Sequence, residues 1–442
     1  MLSIKLKSVV NLYLYMLIFV GVFFNIYKVF FESNANYQLI YIFILTMLFI
    51  FLYLSSGDKT IFFHKKSKIV ILMLIYHGVL SFLYNASIED QMDYARHIIL
   101  SLKYIFVFFI GVIIYHLGVK GAWETFQNIT KLIILFLTIE GVVYVISLNY
   151  GFGIHEYQVS AGSRFSSAFV GNNMVVGFWG LVGIVISFLL KINNKNWIMY
   201  MLFSIFVILL TQERSIYLSV FVFFLSYILL GLRYYVKKHQ LFIVAFFLLM
   251  LTVVMLEYIY AMRPEYGDSL FAFYTRLYLY ANGLELAYNK LPIGTGAGMY
   301  LEYSYRYDTY FALMMDSYLQ GLNIEGLDKA SSRLYVWLDN EKGATSHSVF
   351  IDFLAEFSIL GVYFIYLFVS KIKHLIKLAK IPSFSLEEKQ EIIVYVSFMF
   401  SMMISLNFLS WDNNLWQFVI VLSFLLKRVS LMHKPFLIKK NL

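Results

Sequence analysis

Apolar runs about twenty residues long, separated by short polar connectors, repeat along nearly all of this 442-residue chain. A helix that crosses a bilayer needs ~20 such residues. Twelve segments qualify, near 9–31, 37–55, 69–85, 97–117, 130–149, 170–190, 196–210, 215–232, 241–260, 348–370, 391–409 and 415–432. The first follows Lys5 and Lys7, exceeds the apolar core of a signal peptide and lacks a small-residue cleavage site, so it reads as a retained span. Strands of a membrane barrel would instead alternate over segments of about ten residues. The pattern therefore predicts an all-α polytopic membrane protein with about 12 transmembrane helices and one large outer loop.

The polar connectors give the orientation. "SGDKTIFFHKKSK" (56–68), "KINNK" (191–195), "RYYVKK" (233–238), "KIKHLIKLAK" (371–380) and the tail from Lys427 are basic and fall at alternate connectors. Basic connectors stay on the cytoplasmic side, which places both termini there. The connectors between them, such as "NASIEDQMD" and "SWDNN", are acidic, neutral or long. Three parts follow: residues 1–260 carry spans one to nine, 261–347 form the large outer loop, and 348–442 carry the last three spans and a cytoplasmic tail. A loop that long in a compact protein is usually functional. Within it, "DSLFAFYTRLYLYANGLELAYNK" (268–290) suits a helix, and the three glycines of "PIGTGAG" (292–298) require a turn.

Composition agrees with the pattern: 61% of residues are hydrophobic and only 14% charged, too much apolar side chain for a water-facing surface. The formal charge of +9 sits mostly in the cytoplasmic connectors, so it orients the protein and does not point to nucleic acid. The absence of cysteine excludes disulfides and thiol catalysis. No glycine-rich nucleotide loop and no HExxH metal motif occurs, so neither a nucleotide, a metal nor another cofactor is implied.

Four outer-side features carry candidate chemistry: Arg164 in "GSRFSSAFVGNN", Arg214 in "TQERS", Arg276 in the large loop, and His347 in "ATSHSVFIDFLAEFSILG". A guanidinium grips phosphate oxygens through a fork of donors. One arginine at the membrane edge can equally anchor to lipid headgroups. Three beside turns favour a site for a lipid-borne anion. Ser346 is placed to cap the next helix, which would make His347 its first residue, with a neutral ring able to accept a proton. Asp352 and Glu356, one turn apart on that helix, should face the bundle interior or a wet cavity. They pair with arginines, orient the histidine or bind a sugar. Lys103 and Glu140 read as a pair joining two spans, and His97 as an interfacial histidine without a task. Tyr300, Tyr303, Tyr305, Tyr307 and Tyr310 suit either sugar stacking or an aromatic belt.

The chain resembles the O-antigen polymerase (Wzy-type) and O-antigen ligase superfamily of bacterial envelope proteins. "TSHSVFIDFLAEFSILG" is similar to its His-Asn, leucine-rich and Glu-x-Gly-x-x-Gly pattern, "LLTQERSIYLS" to its Ser-Arg turn, "RFSSAFVGNN" to its Arg and Asn-Pro-Asn stretch, and "YTRLYLYANGLELAYNKLPIGTGAG" to its Arg and Pro-x-x-Gly-x-Gly segment. Departures are Ser348 for Asn, Ser358 for Gly, Gly171 for Pro and Glu213 for Ser. The resemblance implies an inner-membrane enzyme with its site in the periplasm. It implies a metal-independent inverting glycosyl transfer in which an undecaprenyl-pyrophosphate-linked glycan is donor and another such glycan the acceptor. On that basis Arg214 and Arg276, assisted by Arg164, hold the pyrophosphate, His347 is the base, and Glu356 and Asp352 support them. A chain-length regulator is an implied partner. A polymerase of repeat units is expected first, a ligase acting on lipid A core second, and a lipid-linked-glycan flippase third.

Overall fold

The computed structural model describes residues 11–17, 38–55, 65–88, 94–117, 120–150, 159–160, 164–167, 170, 173–192, 196–232, 250, 269–300, 303, 310–321, 348–381, 384–406, 417 and 419–428. Among these the chain is helical apart from one small ribbon. Its helices are α1 (Gln38–Ser55), α2 (Lys65–Ile88), α3 (Tyr94–Leu117), α4 (Lys120–Tyr150), α5 (Asn173–Ile192), α6 (Trp197–Thr211), α7 (Arg214–Leu232), α8 (Ser269–Asn289), α9 (Tyr310–Gly321), α10 (Val349–Ala379) and α11 (Leu386–Leu406). Residues 11–17 and 419–428 are helical as well. Strands β1 (Val159–Ser160) and β2 (Arg164–Phe165) pair antiparallel, with Ser160 opposite Arg164.

Among the described residues, five helices are long and apolar enough to cross a membrane: His97–Tyr115, Trp123–Tyr150, Asn173–Ile192, Arg214–Gly231 and Val349–Ala379. Two shorter apolar helices, Ile71–Ser87 and Trp197–Thr211, accompany them. Of the expected span near 9–31 only residues 11–17 are described, and of that near 241–260 only residue 250. The surface agrees with a lipid environment. On α4, Leu132, Leu135, Ile139, Val142 and Ile146 follow a three-four spacing and are exposed, while Ile129, Ile133, Leu137 and Tyr144 are buried. One stripe of the helix faces outward and the other packs inward. An apolar surface of that extent marks contact with a membrane or partner, and with helices of this length the chain is a membrane protein.

The packing centre is α5, buried along nearly its whole length and touching α4, α6, α7 and α11. Its sequence explains why. Gly177, Gly180 and Gly183 recur every three residues, and an added Cβ would meet Ile216 of α7, Ile208 of α6, and Ser204 of α6 with Ile134 of α4, respectively. Inside a membrane, where helix association draws on close packing, small residues let backbones approach. Polar bonds lock the same bundle: the Trp179 indole donates to Gln417 Oε1 at 2.7 Å, and Ser401 Oγ donates to the Ser219 carbonyl at 2.6 Å. At another point of α11, Glu391 accepts from Arg428 Nε at 2.8 Å and from the Tyr395 hydroxyl at 2.6 Å.

Candidate functional site

The stretch 268–290, expected to be helical, forms α8 over Ser269–Asn289, and 292–298 is the predicted turn. Helix α8 packs on α10 and on α9, with the Tyr274 hydroxyl donating to Asp316 Oδ1 of α9. This places Arg276 beside the helix that carries the two acids. Tyr280, one turn further along α8, lies within electrostatic reach of both groups. Burial raises its pKa, Arg276 lowers it, and Asp352 raises it. Asp352 and Glu356 are 2% and 1% exposed, as expected for acids turned toward the bundle interior.

Helix α10 does not begin where the sequence suggested. Ser348, not Ser346, is the N-cap: its backbone is extended and its side chain accepts from Ile351 N, while its carbonyl accepts from Asp352 N at 2.9 Å. A side-chain oxygen reaching the third helical amide is what a cap supplies, so the helix starts at Val349 and His347 precedes the cap. His347 itself lies outside the described residues.

Ten residues into α10 the helix breaks. Ser358 has φ 46° and ψ −118°, a backbone state that favours glycine. A break leaves helix carbonyls without their usual amide donors. Here the glycine turn supplies them: Thr295 N donates to Ala355 O at 2.9 Å, and Gly296 N to Glu356 O at 3.1 Å. Tyr300 N adds a bond to Glu356 Oε1 at 3.3 Å. Glu356 is thus held by the turn through both backbone and side chain. The glycines are required by contact as well as by conformation. Gly294 and Gly296 have φ of 92° and 96°; a Cβ on Gly294 would strike Glu356 O, and one on Gly296 would come 2.6 Å from the His97 ring. Gly361, one turn past the break, is likewise closed off by Phe353 O. Ser358 and Gly361 are the two glycine positions of the Glu-x-Gly-x-x-Gly resemblance, and the break gives both a physical purpose.

Two tyrosines anchor the far side. Tyr300 and Tyr303 are buried, and Lys290 Nζ sits 4.5 Å from the Tyr303 ring. Burial, then Asp352, then Glu356 raise the Tyr300 pKa well above its usual value, so its phenol stays protonated. These two side chains are packing residues, not a sugar platform. Tyr310 is exposed, and Tyr305 and Tyr307 lie outside the described residues.

Arg214 belongs to a second cluster. Helix α6 ends on Gln212 in the left-handed conformation (φ 46°), and Glu213 O accepts from Ile216 and Tyr217 at the start of α7. The Glu213 carboxylate is buried and accepts from Asn173 Nδ2 at 2.6 Å and Ser215 Oγ at 3.3 Å. That buried carboxylate fixes the turn from which Arg214 projects, with Asn173 of α5 as its anchor. Strand β2 rests on α6. Phe165 and Leu210 both border Gly141, so Arg164 in the strand and Arg214 after α6 occupy the same end of the bundle. Glu140, expected to join two spans, accepts from Ser167 Oγ at 2.5 Å and ties the segment after β2 to α4.

The sequence reading missed the side chains that hold the turn from behind. His77, Ser81 and Asn85 lie four residues apart on one face of α2 and are buried. The His77 Nε2–H donates to Ile293 O at 2.9 Å, and the ring lies 4.9 Å from that of Phe357. Asn85 Nδ2 donates to Thr295 O at 3.0 Å and Gly294 O at 3.3 Å. His97, expected at the interface, is fully buried with Nε2 3.4 Å from Ser81 Oγ. Polar groups at four-residue spacing inside an apolar run were the available signal.

Fold and site together describe a helical membrane protein with Arg214 at a helix start, Arg164 in a strand, Arg276 within α8 and buried acids on a broken helix. A family model described as O-antigen ligase matches residues 199–366, so this stretch of the chain is similar to that family. The matched stretch includes Arg214, Arg276, His347, Asp352 and Glu356; Arg164 falls outside it. No curated protein and no solved structure matches the chain.

Proposed function

We propose that this protein is an inverting, metal-independent glycosyltransferase that polymerises undecaprenyl-pyrophosphate-linked repeat units of a surface polysaccharide at the periplasmic face of the inner membrane. The observation that carries the reading is the packing of α8, which bears Arg276, on α10, which bears the buried Asp352 and Glu356, within the stretch that matches the family model. In this reaction His347 takes the proton of an acceptor hydroxyl as that oxygen bonds to the anomeric carbon of the donor sugar. The bond from that carbon to the pyrophosphate oxygen breaks, and the oxygen keeps the electron pair. Arg214 and Arg276, with Arg164, bind the pyrophosphate and stabilise the charge that grows on it. Glu356 and Asp352 orient the base or the acceptor. The donor and acceptor both arrive from the outer leaflet, and a chain-length regulator acts as partner.

Transfer of a finished glycan to lipid A core is the second reading, supported by the ligase description of the matching family model. A gene deletion read on a glycan gel separates the two. Core carrying a single repeat unit indicates a polymerase, and unattached polymer indicates a ligase. His347→Ala is expected to abolish extension while the protein still accumulates in the membrane. Normal polymer length in that variant removes the base assignment.

A further inference from the structure

The turn 292–298 is held from two sides. Its amides serve α10, as described, and its carbonyls serve α2. Asn85 contacts three backbone oxygens: Ser81 O at 2.8 Å in its own helix, Thr295 O at 3.0 Å and Gly294 O at 3.3 Å. His77 takes Ile293 O, and its ring lies tilted 4.9 Å from that of Phe357, the residue after Glu356. Ser81 and His97 close over Gly296 so tightly that no Cβ fits there. All four side chains are buried inside apolar helices, where an amide or imidazole is costly unless it has a partner. Three of them sit on one face of α2 with four-residue spacing. They are more than general polar filling, because the bonds of His77 and Asn85 across the bundle end on three successive carbonyls of one turn.

We propose that Asn85 and His77 are positioning residues that fix the glycine turn and, through it, the placement of Glu356 and Tyr300 in the candidate site. The mechanical chain is short. Asn85 holds Gly294 and Thr295; Thr295 and Gly296 hold the Ala355 and Glu356 carbonyls; Tyr300 N holds the Glu356 carboxylate. Losing the first link frees the turn to move away from the break in α10. The carbonyls at the break then need water in an apolar setting. Arg276, on α8, is not part of this chain of bonds. The effect of Asn85 therefore falls on turnover, with donor binding largely kept. This consequence for activity rests on the glycosyl-transfer reading; the clamping of the turn does not.

The test uses the full chain, which has no cysteine of its own. Thr295, 0% exposed, is changed to Cys as a reporter and its labelling by a maleimide is followed in membranes. With Asn85 in place labelling should be slow; with Asn85→Ala it should be at least tenfold faster, while a control cysteine at Ser226 keeps its rate. Asn85→Asp has the same shape but sets carboxylate oxygens against carbonyl oxygens, so it should label faster than Asn85→Ala. If Asn85→Ala does not accumulate, His77→Phe keeps the ring and loses the bond to Ile293, and the same comparison applies. Equal labelling with and without Asn85, slow or fast, overturns the clamp. On the native background, Asn85→Ala should lower extension turnover at least tenfold and leave the KM for the lipid-linked donor within twofold. Faster labelling with full turnover overturns the link to the site. Faster labelling together with unaffected glycan in both Asn85→Ala and His347→Ala refutes the functional reading and leaves the clamp standing.

Discussion

Ser358 offers a sharp quantitative test, because its environment opposes its side chain in two ways. Its φ of 46° with ψ −118° is a state that costs a residue with a Cβ about 1–3 kcal/mol. Its hydroxyl is buried at 3% exposure, with no hydrogen-bond partner among the described residues. A buried hydroxyl left in that state costs about 1–3 kcal/mol. Replacing Ser358 by Gly removes both terms and returns about 0.5–1 kcal/mol of backbone entropy to the unfolded chain. The net expectation is a gain of roughly 1–5.5 kcal/mol, the two penalties together less the entropy. With an unfolding entropy of about 2.1 cal/mol/K per residue, a gain of ~2 kcal/mol raises the melting midpoint by about 2 °C for a chain of this length. The assay is a thermal melt in detergent followed by tryptophan fluorescence. Ser358→Ala keeps the Cβ and removes only the hydroxyl, so it should gain less than Ser358→Gly. Ser358→Val puts a branched side chain at positive φ and should melt lower than the native protein. A lower midpoint for Ser358→Gly, or a neutral Ser358→Val, would mean that α10 does not break at this residue.

Two further predictions address other parts of the molecule. Gly183→Leu drives a side chain into Ser204 of α6 and Ile134 of α4 at the centre of the bundle; overpacking of this kind costs about 1–3 kcal/mol or more, so lower yield and an earlier melt are expected, and a native melt argues against the close approach of α5. Arg214→Lys keeps the charge but loses the fork of donors; polymer extension should fall at least tenfold with normal protein level, and native extension would reduce Arg214 to a membrane anchor.

The parts of the account legible in the sequence are those fixed by local periodicity and by backbone demands. The α4 span, the α8 helix and the glycine turn follow from long apolar runs and from residues that break regular structure. The burial of Asp352 and Glu356 followed from charge inside an apolar run. What stayed hidden depends on contacts between distant segments. Nothing local distinguishes Ser346 from Ser348 as a cap, and only the geometry of Ile351 N selects the second. Ser358 carries no warning of a positive φ; the break becomes intelligible only when Thr295 and Gly296, some sixty positions earlier, are seen to satisfy the carbonyls it frees. In the sequence Glu213 is only a departure from the Ser-Arg turn, whereas Asn173, forty positions away, gives it a buried partner. His97 was misplaced because a histidine near a helix end looks interfacial until Gly296 is found packed on its ring.

In the proposed enzyme one periplasmic reaction centre gathers the arginines and the histidine. Single cysteines placed at positions 214, 276 and 347 in the cysteine-free chain, probed in intact cells with a membrane-impermeant thiol reagent, test it most directly. All three should react from the periplasmic side. Reaction of residue 347 from that side, with residue 214 protected until the cytoplasm is opened, would divide the centre between two compartments and contradict it.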